Sequence, residues 1–95
     1  MDFTKAIELK PDQDRFVHNR AYTYLLKALY KESVEDYGQV IELSPNNAMA
    51  YYGRGHSLEK QNMRSKAVQD YRKALEHDPN HRSARKALER LGVDP

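Results

Sequence analysis

Prolines stand at Pro11, Pro45 and Pro79, 34 residues apart each time. Each closes a similar phrase: Ile7-Glu8-Leu9-Lys10, Ile41-Glu42-Leu43-Ser44 and Leu75-Glu76-His77-Asp78. An aromatic residue precedes each proline by eight positions: Phe3, Tyr37 and Tyr71. Self-similarity at a fixed period of this length marks a repeat architecture, in which each unit buries its apolar face against its neighbours. Laying 14–47 over 48–81 gives identities at Arg20/Arg54, Val34/Val68, Asp36/Asp70, Tyr37/Tyr71, Glu42/Glu76, Pro45/Pro79 and Asn46/Asn80. Other pairs keep their size, such as Ala21/Gly55, Ser33/Ala67, Tyr24/Leu58 and Ile41/Leu75.

Between the prolines the apolar spacing is helical. Residues 2–10 read as a helix with Phe3, Ala6 and Ile7 on one face, stopped by Pro11. By the 34-residue register this is the second helix of a unit whose first is missing, which points to an excerpt from a longer array. A helix over 15–27 follows, with Asp14 or Asp12 as N-cap and Val17, Ala21, Tyr24 and Ala28 on its inward stripe. The next covers 31–43, facing inward with Val34, Tyr37, Val40 and Ile41. The join, Lys27-Ala28-Leu29-Tyr30-Lys31, contains no turn-forming residue. A tight turn is expected there because Tyr37 and Val40 need Val17 and Tyr24 to pack against. The alternative is one continuous helix, with exchange of halves between two chains.

Ser44-Pro45-Asn46-Asn47 reads as a loop, with Asn46 or Asn47 capping a helix over 48–61 that presents Tyr51, Gly55 and Leu58. Gln61-Asn62-Met63-Arg64 reads as a turn, and Ser65 as the cap of a helix over 65–77 with Val68, Tyr71, Ala74 and Leu75 inward. The last helix, 81–91, carries Ala84, Leu88 and Leu91 and ends at Gly92. The expected organisation is a half-unit at 1–13, full units at 14–47 and 48–81, and a capping helix at 82–95. Small residues at Ala21/Gly55 and Ser33/Ala67 let paired helices approach, while Tyr37 and Tyr71 fill the space to the next unit.

Composition narrows the class of function. The chain has 95 residues, 39% hydrophobic and 32% charged, with a net charge of +2. That is well short of the excess a nucleic-acid-binding domain carries. No cysteine occurs, which removes disulfide and thiol chemistry and suits a reducing compartment, so an intracellular, cytoplasmic setting is expected. No apolar run approaches the roughly 20 residues that span a bilayer, and Met1–Lys5 reads as neither signal nor transit peptide.

This pattern resembles the tetratricopeptide repeat, a 34-residue helix-turn-helix unit with set large, small and proline positions. The matching residues are Tyr51, Gly55, Leu58, Ala67, Tyr71, Ala74 and Pro79 in the second full unit. In the first they are Val17, Ala21, Tyr24, Ser33, Tyr37, Val40 and Pro45. Departures are Val17 for a large aromatic, Ser33 and Val40 for alanine, and Arg20 and Arg54 for an aliphatic residue. The resemblance implies an all-α solenoid of antiparallel helix pairs that acts as a non-catalytic interaction scaffold. Its first helices would line a concave groove for a peptide.

Carried over residue by residue, that groove comprises Arg15, His18, Asn19, Tyr22 and Leu26, then Met49, Tyr52, Gly53 and His56, then Lys86 and Arg90. It would suit a peptide carrying a carboxylate with an apolar or aromatic side chain. One subfamily clamps the terminal carboxylate of large heat-shock chaperones with lysine, asparagine and arginine. Asn19 matches its central asparagine, but Met49 and Gly53 stand where its cations belong, so that route is not expected here.

Other chemistries find little footing. His77 and His81 are separated by the helix-breaking Pro79, and His18 and His56 have no third ligand, so no metal site is expected. Asp36/Asp70 and Glu42/Glu76 recur with the period, which indicates a structural surface role rather than a catalytic carboxylate pair. No P-loop, dinucleotide fingerprint or nucleophile elbow occurs, so neither enzyme activity nor a cofactor is expected. Arg82, Arg85, Lys86 and Arg90 form a basic helix, and Tyr51 and Tyr52 are adjacent, which makes nucleic acid the rival partner; the acids of the second helices weigh against it. Self-association is the structural alternative, since Phe3 and Ile7 lack a partner helix.

Overall fold

Apolar residues spaced three and four apart fold the chain into consecutive short helices. The computed structural model describes residues 13–95. The expected helix over 2–10, with Phe3, Ile7, Pro11 and Asp12, lies outside the described residues. Five helices follow in order: α1 Gln13–Leu26, α2 Tyr30–Leu43, α3 Ala48–Lys60, α4 Arg64–His77 and α5 Arg82–Arg90. Each packs on the next in the chain, so the molecule is an all-α helical-repeat solenoid with no strand among the described residues.

Pro45 and Pro79 sit in the bends between α2 and α3 and between α4 and α5. The residue before each is driven out of helical backbone: Ser44 has φ −140 and ψ 81, Asp78 φ −141 and ψ 90. Asn47 then caps α3, its side chain accepting from Ala50 N at 3.1 Å. Its counterpart His81 caps α5, where Nδ1 accepts from Ala84 N at 3.2 Å. Four orphan amides at each helix start explain why a side-chain acceptor recurs at this position.

The turns within the helix pairs are built differently. Ala28 adopts φ 62 and Asn62 φ 64. In each, two amides reach back across the helix end: Leu29 N to Tyr24 O and Ala28 N to Leu25 O, then Met63 N to Leu58 O and Asn62 N to Glu59 O. This left-handed closure satisfies carbonyls left over at a helix C-terminus. Gly92 closes α5 in the same way at φ 75. Residues 27–29 therefore form a discrete turn, not a continuation of the helix. Ala28 is exposed and does not belong to the buried stripe of α1, because the left-handed residue projects away from the helix it ends.

Two expected caps are not made. Asp14 lies inside the first turn of α1, where its carboxylate suits the helix dipole and accepts from Ser44 Oγ at 2.8 Å. Ser65 lies one residue into α4; Met63 holds the cap position without a side-chain hydrogen bond, because the left-handed Asn62 already turns the chain.

The core has two parts. Val17, Ala21, Tyr37, Val40 and Ala50 form the first, between α1, α2 and α3. Leu58, Ala67, Tyr71, Ala87 and Leu88 form the second, between α3, α4 and α5. Small residues bring backbones together: a Cβ at Gly55 would stand 3.2 Å from Ala67 O, and Ser33 Oγ donates to Ala21 O at 2.9 Å. Val93 packs on the second core, and Arg64 Nη2 holds Leu91 O at 2.6 Å.

Each helix pair is also stapled by an ion pair. Arg20 donates to Asp36 through Nε at 2.7 Å and Nη2 at 3.0 Å. Arg54 donates to Asp70 in the same way, at 2.8 and 3.0 Å. Both aspartates are buried, at 5% exposure, so they are not surface residues. The forked geometry and the partial burial make these stronger than exposed ion pairs.

Candidate functional site

Because α1 and α3 are both first helices of their pairs, their outward faces stand side by side and leave a groove of about 620 Å³. Its α1 wall carries His18, Asn19, Tyr22 and Leu26; its α3 wall carries Met49, Tyr52, Gly53 and His56. Three of these are large apolar side chains left open to solvent, Tyr22 at 53%, Leu26 at 68% and Met49 at 56%.

The floor is Tyr37 of α2. Its ring lies against Gly53 so closely that a Cβ there would fall 2.3 Å from Tyr37 Cζ. His18 meets the same ring edge-on, with centroids 5.3 Å apart. Burial raises the Tyr37 hydroxyl to a pKa of about 12, helped by Tyr22 and Tyr52, so it remains a proton donor. Burial also lowers the pKa of His18, with Asp14 acting in the opposite sense. His56 is lowered first by burial, then by Lys60; Glu59 opposes this and Arg90 adds to it. The groove at neutral pH is thus mostly uncharged and aromatic-walled.

Leu25, Tyr30, Tyr37 and Lys60 also line it, although the reading of the sequence did not place them there. Helical spacing was the available signal for two of them: Leu25 is seven residues beyond His18, and Lys60 four beyond His56. Arg15 lies in an adjoining polar recess with Asp14, Asn19 and Asn47. Lys86 and Arg90 do not line the groove. Arg90 is engaged with Glu59, at 2.5 Å through Nη1 and 3.0 Å through Nη2. Glu59 also accepts from Tyr71 Oη at 2.7 Å. These partners, Arg90 first, hold the Glu59 carboxyl at a pKa of about 2.

The remaining histidines have separate tasks. His77 stacks on Tyr51 with centroids 5.3 Å apart, and His81 caps α5. Among the described residues no group of three or more His, Cys, Asp or Glu side chains could hold a metal ion. Arg82, Arg85 and Lys86 are exposed, and Arg85 donates to Pro79 O at 3.2 Å.

Comparison with known proteins agrees with this geometry. The family description "Tetratricopeptide repeat" matches residues 48–81, and a second, "TPR repeat", matches 30–62. The solved structure of the Arabidopsis OM64 TPR domain superposes with a TM-score of 0.83 at 28% identity, over 94% of this chain and 74% of that one. The chain belongs to the tetratricopeptide repeat family. No curated protein sequence gives a significant match. As a tetratricopeptide array it is a protein–protein interaction module, in a family that is generally a non-catalytic scaffold. Among the described residues no helix is long and apolar enough to cross a membrane. Where the chaperone-binding subfamily has cations, this tetratricopeptide array has the open Met49 and the ring-covered Gly53.

Proposed function

We propose that the groove between α1 and α3 binds a peptide segment of another protein, mainly through apolar side chains. The observation that carries this is the set Tyr22, Leu26 and Met49, more than half exposed along a groove floored by a buried tyrosine. Such side chains gain about 25 cal/mol for each Å² of apolar surface removed from water. Their rigid helical setting keeps the ordering cost of binding low. Arg15 and Asn19 supply polar contacts at one end of the groove.

The test is selection of displayed random dodecamers on the full chain, followed by titration of the selected peptides against variants. Tyr22→Ala and Met49→Glu alter exposed side chains and should leave the melting temperature unchanged. Affinity should fall at least tenfold in each. Peptides that bind both variants as well as the parent chain would overturn the proposal. Arg15→Ala and Asn19→Ala should cost less, and unchanged affinity in both would remove the polar end from the site.

A further inference from the structure

The 34-residue register allows one helix-pair interface to be compared with the next. Tyr71 sits between α3, α4 and α5, with the Tyr52 ring 5.7 Å away, its hydroxyl on Glu59, and Glu59 closed by Arg90. One unit earlier the same four places hold Tyr37, His18, Leu25 and His56. The phenol is retained, the flanking ring is retained as an imidazole, and the arginine becomes a second imidazole. The carboxylate alone is replaced by an aliphatic side chain.

The consequence is visible in the floor of the groove. Tyr71 is completely buried and its hydroxyl is used within the chain. The Tyr37 hydroxyl makes no hydrogen bond to a described residue, yet it is not sealed in, since among the described residues the buried polar side-chain atom without a partner is His81 Nε2. Tyr37 lines the groove together with Leu25, the register counterpart of Glu59. Lys60, one helical turn beyond His56, lines the same groove and has no acidic partner among the described residues.

The geometry points to an acidic side chain of the bound peptide as the missing carboxylate. This rests on the peptide-groove reading and specifies its ligand. A glutamate enters over Leu25 and accepts from Tyr37 Oη, as Glu59 accepts from Tyr71 Oη. Lys60 supplies the positive charge that Arg90 supplies next door, and His56 joins it once the carboxylate restores the proton that burial removes. A hydroxyl donating to a carboxylate in a partly desolvated groove is about twice as strong as a neutral hydrogen bond. Lys60 adds attraction that salt screens only in part at such a site.

Two experiments test this on the full chain. The first places the carboxylate inside the molecule with Leu25→Glu and His56→Arg together. In carboxyl NMR titration the introduced group should ionise below the ordinary glutamate range, and adding Tyr37→Phe should move it back up. An ordinary titration that ignores Tyr37→Phe would overturn the inference. The second uses the display-selected peptides. Changing their acidic residue to Gln should weaken binding to the parent chain about tenfold, but hardly at all on Tyr37→Phe. Amidating the peptide C-terminus should have no effect; a loss there would assign the site to a terminal carboxylate and overturn the side-chain assignment. Peptides that need Tyr22 and Met49 but bind equally as Gln forms would overturn the carboxylate inference and leave the groove standing. Peptides indifferent to Tyr22 and Met49 would remove both.

Discussion

Ala28, Asn62 and Gly92 close their helices with the same left-handed backbone, but the three side chains do not bear it equally. Glycine and asparagine reach that region readily, whereas an alanine there is strained by about 1–2 kcal/mol. Ala28→Gly should therefore raise stability by about 1 kcal/mol and the melting temperature by several degrees; a lowered melting point would contradict the strain. Two helical glycines should respond with opposite signs. Gly53→Ala sets a methyl 2.3 Å from the Tyr37 ring and should cost about 1–3 kcal/mol. Gly38→Ala meets nothing nearer than Arg54 Nη1 at 3.8 Å and should gain about 1 kcal/mol from helix propensity. Urea unfolding of the two variants side by side checks both. The position of Gly53 was legible in the sequence, but not its purpose. Only the neighbouring helix shows that a ring occupies the space its side chain would fill.

At the scale of the element, the recurrence of Arg20/Arg54 and Asp36/Asp70 was plain in the sequence, while their pairing was not. The partners are 16 residues apart on two helices, and each alone has the composition of a solvated face. Read singly, the arginines look like departures from an aliphatic position. Read together in space, they are the donors that make a buried aspartate tolerable. Arg54→Leu should then cost about 2 kcal/mol, because it restores the aliphatic residue but leaves Asp70 buried without a cation. The double change Arg54→Leu with Asp70→Leu should recover much of that loss. If the losses simply add in a double-mutant cycle, the staple contributes nothing of its own. The same logic explains the turn at 27–29. No residue there demands a turn, and the requirement comes from Tyr37 and Val40 closing on Val17 and Ala21, a tertiary demand that local propensity does not record.

For the whole molecule, groove and interface chemistry combine in the response to acid. His18 and His56 are held below 6.5 in the folded chain, chiefly by burial. The unfolded chain therefore takes up protons that the folded chain resists, and stability falls as pH drops below about 6.5. Glu59 is depressed from 4.5 to about 2, so its contribution is complete above 4.5 and is lost as pH falls from there toward 2. Urea midpoints measured from pH 7 to pH 3 should thus decline in two successive windows. His18→Gln with His56→Gln should flatten the upper one and Glu59→Gln the lower. A midpoint constant between pH 7 and pH 5 in the parent chain would mean that the groove histidines are not desolvated as described. Their desolvation also bears on binding. An occupant that brings a carboxylate beside His56 restores the proton that burial removes, so an acidic peptide should bind more tightly at pH 6 than at pH 8, while a purely apolar one should show the reverse. Titration of the selected peptides and their Gln forms at the two pH values decides between these signs, because only the anion can reverse the effect of burial on the imidazole.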